Sequence, residues 1–180
     1  MGIDSISLAA LQAQSVLNAG KYTERHFAEV AVKNRKAAKS NPFAQVKGDF
    51  NVEEIMNSPY IASPLRKHDC PPISDGAAAM IIATEEVARK YCERPAWIRG
   101  VDHRIDAHQP GVRSLTESPS TTMATEVAGV HRDKIDVAEI YAPFSHQELI
   151  VRDAMGLPEE TCLNPSGGTL AAHPIMSAGL

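Results

Sequence analysis

VAEIYAPFSHQELIVRDAMG occupies residues 137–156. Its first five residues predict a short strand, and Tyr141 stands at that strand's carboxyl end. Ser145 and Glu148 then have the S-x-x-E spacing of a capping box, which predicts a helix running to about Met155. Gly156 suits the left-handed position just past a helix end. Strand, loop and capped helix in succession are the repeating unit of an α/β layered fold.

The same alternation extends backwards along the chain. Met80 to Ala83 is a continuous apolar run, as expected of a strand buried on both faces. Thr84-Glu85-Glu86 opens a helix of about two turns. AWIRGV at 96–101 reads as another strand. Ser118-Pro119 places a cap and then a proline at the first helical position. From residue 77 the order is therefore strand, helix, strand, helix, strand, helix and a closing loop.

The first 60 residues are helical in pattern. Ile6, Ala9, Ala10, Ala13, Val16 and Leu17 recur at helical spacing, with Asp4 or Ser5 as cap and Gly20 past the end. A second helix starts at Thr23 and buries Phe27, Val30 and Ala31. Its Glu29 and Lys33 stand four apart, where they can pair on the wet side. Asn41 precedes Pro42 and is pushed out of the helical region. Asn51 and Glu54 cap a short helix that ends before Pro59. Residues 59–74 hold four prolines and read as irregular and extended.

Composition narrows the function. The chain has 180 residues, is 43% apolar and 22% charged, and carries a net charge of −4. These values describe an ordinary globular protein, and no basic stripe suits nucleic acid. No run approaches the roughly 18 apolar residues of a membrane span, and no signal peptide is visible. Cys70, Cys92 and Cys162 lack a zinc-like spacing and read as reduced thiols of a cytoplasmic protein. The histidines show no metal-site spacing, so no metal is expected, and solvated faces are expected for most of His26, His103, His108, His131 and His146.

Three places could carry chemistry. Tyr141 sits where open α/β sheets gather ligands, although position alone favours a boundary tyrosine with a wet hydroxyl. His173 follows the Ser166-Gly167-Gly168 loop. It could act as a base or hold an oxyanion, or it could be a turn histidine bonded to a carbonyl. His68-Asp69-Cys70 holds an imidazole, a carboxylate and a thiol, but neighbours in an extended chain point in alternating directions, which favours a structural role. Asp75-Gly76 reads as a turn into the next strand.

CPPISDGAAAMIIAT, VAEIYAPFSHQE and NPSGGTLAAHPIMSAGL, in this order, resemble the thiolase superfamily. The nearest likeness is to lipid-transfer or sterol-carrier-protein thiolases and their bacterial relatives in steroid breakdown. AALQAQ and VAVKNRKAAKSNPFAQ resemble the same subgroup. The implied fold is a partial thiolase-like α/β unit, a layered mixed sheet covered by helices. Residues 1–95 match the end of the N-terminal half with part of its loop region, and 96–180 match the start of the C-terminal half.

The resemblance also implies roles. His173, in an A-H-P that replaces the family's G-H-P, becomes base and oxyanion donor. Tyr141 takes the place of an asparagine or histidine that helps hold the thioester oxygen. Ser166, Gly167 and Gly168 come near the thioester of an acyl-CoA. Coenzyme A enters as part of the substrate, and no bound cofactor is implied. The implied reaction is thiolysis or Claisen condensation of a 3-oxoacyl-CoA, as in acetyl-CoA acetyltransferases. Tyr141 opens an alternative, a retro-aldol cleavage of a steroid side-chain acyl-CoA with an OB-fold (DUF35-type) partner. A non-catalytic acyl-CoA or lipid-binding fragment or subunit is the second alternative. None of the three cysteines matches a catalytic position of the family. The chain therefore reads as an internal-to-C-terminal piece that needs a complementing thiolase chain, or a homo-oligomer, to cover its sheet.

Overall fold

The computed structural model describes residues 2–132 and 134–177. Residues 178–180, on which part of the expected final helix start falls, lie outside the described residues. The helices form where the caps predict them. In α1 (Ser5–Asn18) the Asp4 carboxylate accepts the Ile6 and Ser7 N–H groups, and in α3 (Val52–Met56) Asn51 accepts the Glu54 N–H. Between them α2 (Glu24–Ala37) starts at Thr23, whose N–H is taken by His26 Nδ1 at 2.9 Å. Each side chain satisfies a donor that the first helical turn leaves unpaired.

One core unites these helices. Phe27, Val30 and Ala31 of α2, Ala9, Ala10, Ala13 and Val16 of α1 and Ile55 of α3 all belong to it. α2 packs against α3, and α1 against the first strand of the ladder that follows. A two-stranded antiparallel ladder, β1 (Tyr60–Ala62) with β2 (Leu65–Arg66), seals one edge through the fully buried Leu65. Further along come α4 (Glu85–Tyr91), α5 (Pro119–Ala128), β3 (Val137–Ala138), α6 (Ser145–Met155), β4 (Cys162–Leu163) and α7 (Gly168–Ala171). β3 and β4 pair in parallel, and α6 packs against both α2 and α5.

Several expectations are corrected. Residues 80–83 and 96–101 form no ladder within the described chain. Ile81 is 95% exposed and Ile98 67% exposed, so neither stretch is a buried strand here. A strand's backbone groups bond a paired strand, and no strand pairs with these stretches among the described residues. The expected Ser145–Glu148 box also fails to form. Gln147 reaches back to the Phe144 N–H, while the Ser145 hydroxyl donates to Asp69 at 2.6 Å. Glu148 instead turns inward and draws Lys33 away from Glu29, which pairs with Arg25. His146 is fully buried between Phe27 and Phe144 rather than solvated.

Candidate active site

Strand alternation orients the first half of the site. Beyond β3, Ile140 and Ala142 turn inward and are buried, so Glu139 and Tyr141 project from the opposite face. Glu139 is bonded twice by Ser166, through its N–H at 2.9 Å and its hydroxyl at 2.8 Å. Tyr141 points at His173. Its hydroxyl lies 2.8 Å from His173 Nε2, and the two rings sit 5.6 Å apart.

Burial raises the Tyr141 phenol above its ordinary range and lowers the His173 imidazole below its own. Both shifts favour the neutral forms. A neutral phenol can then donate to a neutral Nε2, with the remaining ring proton on Nδ1. The exposed edge of Tyr141 faces a cleft of about 290 Å³. Asp106, Arg113, Gln12, Gln147 and Val151 also line it.

The second half of the site depends on Asn164, which motif reading passed over. Asn164 is buried with a φ of 50°. Its Oδ1 accepts the Ile140 N–H at 2.7 Å, and its N–H donates to Ala138 O at 2.9 Å. Its Nδ2 donates to Glu148 Oε2 at 2.6 Å, as does Asn34 Nδ2, while Lys33 completes the carboxylate. One buried carboxylate thus joins α2, α6 and the loop after β4. A buried charge held by three donors is the arrangement that low dielectric demands. The signal in the sequence was an Asn and a Glu whose pairing only the fold reveals.

The Ser166-Gly167-Gly168 loop follows directly. Gly167 has a φ of 93°, and a Cβ there would stand 2.5 Å from Ala38 Cβ and 2.7 Å from Ala171 Cβ. Neighbouring protein therefore accounts for this glycine without a ligand. In α7, Thr169 donates to Ala142 O, which ties the loop's helix to the residue after Tyr141. The loop is thereby fastened to the strand end on which Tyr141 stands.

His68, Asp69 and Cys70 do not converge. His68 lies against Phe50, and Asp69 accepts from Ser145 and the Arg66 N–H. Cys70 is buried, and desolvation pushes its thiol up to about 11. Such a thiol stays protonated near neutral pH and is a poor nucleophile. Among the described residues, no group of three His, Cys, Asp or Glu side chains is placed to hold a metal ion, and no helix is long and apolar enough to cross a membrane.

Comparison with known proteins gives this geometry a family. No family model matches the chain. An acetyl-CoA acetyltransferase of Methanothermobacter thermautotrophicus is 30% identical over 99% of this chain and 53% of its own length. Sterol carrier protein 2 of Bos taurus is 31% identical over 88% of this chain and 34% of its own. The chain's homologues are thus thiolases and sterol carrier protein 2. It spans about half the length of the acetyltransferase it matches, and less of sterol carrier protein 2. A solved Ltp2-ChsH2(DUF35) aldolase superposes with a TM-score of 0.80 at 25% identity, over 92% of this chain and 51% of that one. The helices and ladders described above are a partial thiolase-like α/β fold.

Proposed function

We propose that the protein makes or breaks a carbon–carbon bond beside the thioester carbonyl of an acyl-CoA, with Tyr141 and His173 as one proton-handling unit. The observation that carries this reading is the 2.8 Å contact between the phenol and Nε2. Likeness to thiolase homologues supports the acyl-CoA class of substrate.

The phenol–imidazole contact favours the retro-aldol form of this chemistry. A phenol donating to an imidazole can take the proton of a substrate β-hydroxyl while its own proton passes to Nε2. The bond between the α and β carbons then breaks, and the β carbon becomes a carbonyl. The electron pair passes to the α carbon as a thioester enolate, which His173 reprotonates through the phenol to release a shorter acyl-CoA. The two residues end as they began. In the thiolytic form, favoured by the acetyltransferase relative, His173 instead activates a thiol and Tyr141 contacts the thioester oxygen. Ser166, Gly167 and Gly168 then border the thioester through their link to Tyr141.

Partners follow the same reading. The aldolase neighbour is, by its name, an assembly with a DUF35 chain, and a partner of that type belongs to the retro-aldol form. The exposed Met80, Ile81 and Ile82 support cover by further polypeptide.

The test is turnover by the intact protein. A 3-hydroxyacyl-CoA without free CoA, and a 3-oxoacyl-CoA with free CoA, separate the two forms. Tyr141→Phe should lower retro-aldol cleavage by about 10²–10⁴-fold, the range of a lost acid–base group. Wild-type rates on both substrates after Tyr141→Phe and His173→Ala would overturn the proposal.

A further inference from the structure

Asp75-Gly76 reads in the sequence as a turn entering a strand, yet the fold lays residues 74–76 along His173-Pro174. The His173 N–H donates to Ser74 Oγ at 3.0 Å. The Ser74 hydroxyl in turn donates to Gln45 Oε1 at 2.5 Å. Gln45 is itself fixed, because its N–H and that of Val46 donate to Ala171 O at 3.0 and 2.9 Å. These bonds close a cycle that starts two residues before His173 and returns to it.

Two neighbouring contacts reinforce the cycle. A Cβ on Gly76 would stand 2.9 Å from Pro174 Cβ, so the 74–76 backbone lies directly against the residue after His173. The buried Arg35 guanidinium donates to Leu170 O and to Cys70 O, which ties the end of α7 to the segment leading to Ser74. The loop carrying the imidazole thus leans on residues about 100 positions earlier in the chain.

We infer that Ser74 is a positioning residue for His173, its hydroxyl held by Gln45 so that the imidazole meets the Tyr141 phenol. A hydroxyl both donates and accepts, so one side chain serves both ends of the link. The imidazole's reach to Tyr141 depends on where the His173 backbone is held. An alanine at position 74 leaves that N–H without its acceptor and frees the backbone to shift. Small misplacements of a reacting group lower rates steeply. Threonine keeps the hydroxyl and should restore the link. The inference rests on the proposed chemistry only for its kinetic part.

The experiment compares wild type, Ser74→Ala, Ser74→Thr and Gln45→Ala in the intact protein. The His173 ring signals are followed by NMR across a pH titration, alongside thermal unfolding and, where turnover is found, kcat and KM. Ser74→Ala should move the His173 ring resonances and raise their titration midpoint toward that of a solvated histidine. It should lower kcat about 10- to 100-fold with KM little changed. Ser74→Thr should return both towards wild type, and Gln45→Ala should give a smaller shift of the same sign. If Ser74→Ala does not fold, Gln45→Ala alone decides. Unmoved His173 signals in whichever of these variants folds would overturn the inference. Moved signals in a protein without either turnover would leave the inference standing and remove the proposed function instead.

Discussion

Replacing Gly167 by alanine separates a glycine required by packing from one kept open for a ligand. Position 167 sits in the left-handed region at φ 93°, and an added methyl would come within 2.7 Å of two alanine methyls, Ala38 and Ala171, both buried. Gly20 offers a control, because its φ is 73° and nothing lies within 4 Å of its absent Cβ. The left-handed conformation costs an L-residue about 1–2 kcal/mol at either site. Overpacking a filled interior adds about 1–3 kcal/mol at position 167 alone. Gly167→Ala should therefore lose about 2–5 kcal/mol and Gly20→Ala about 1–2 kcal/mol. Urea unfolding followed by far-ultraviolet circular dichroism measures both, with comparable slopes showing that the unfolded states match. Equal losses in the two variants would refute the packing account and return the glycine pair to ligand contact.

Other expectations bear on the buried polar groups. Glu148→Gln puts an amide N–H₂ where Lys33, Asn34 and Asn164 all donate, so about 1–3 kcal/mol of stability should be lost. A melting temperature equal to wild type would show that the network contributes nothing. Burial pushes His146 from 6.5 down to about 3, so below about pH 6.5 the unfolded chain takes up a proton that the folded chain refuses. Stability should fall with pH across that window. His146→Gln should remove about 2 kcal/mol of the loss between pH 7 and pH 5, since each pH unit is worth about 1.4 kcal/mol per differential proton. Asp69, whose carboxyl burial raises, acts in the opposite sense but is common to both proteins and cancels in the difference. Parallel stability curves would contradict the neutral buried imidazole.

Local signals along the chain were sufficient for the longer helices, while α7 falls in what read as a closing loop. Asp4 and Asn51 cap because their short polar side chains reach amides two or three residues on, and Gly156 ends α6 in the left-handed region. These interactions span a single turn, so spacing alone announces them. Tyr141 and His173 were also nameable in advance, as a residue at a strand end and one after a glycine loop. That their rings meet at hydrogen-bond distance could not be read from a separation of 32 positions.

Tertiary structure decided whatever required a distant partner. Glu148 had the spacing of a cap, yet three donors from α2 and the loop after β4 made the interior its better home. Residues 80–83 and 96–101 had strand composition, but a strand is a property of a pair, and no ladder forms on them among the described residues. Ser74 ended a segment read as irregular and extended until the fold brought His173 to it. Composition and spacing express what a residue can do within a turn or two. Burial and long-range hydrogen bonding, which depend on what the folded chain brings alongside, select which of those options is realised.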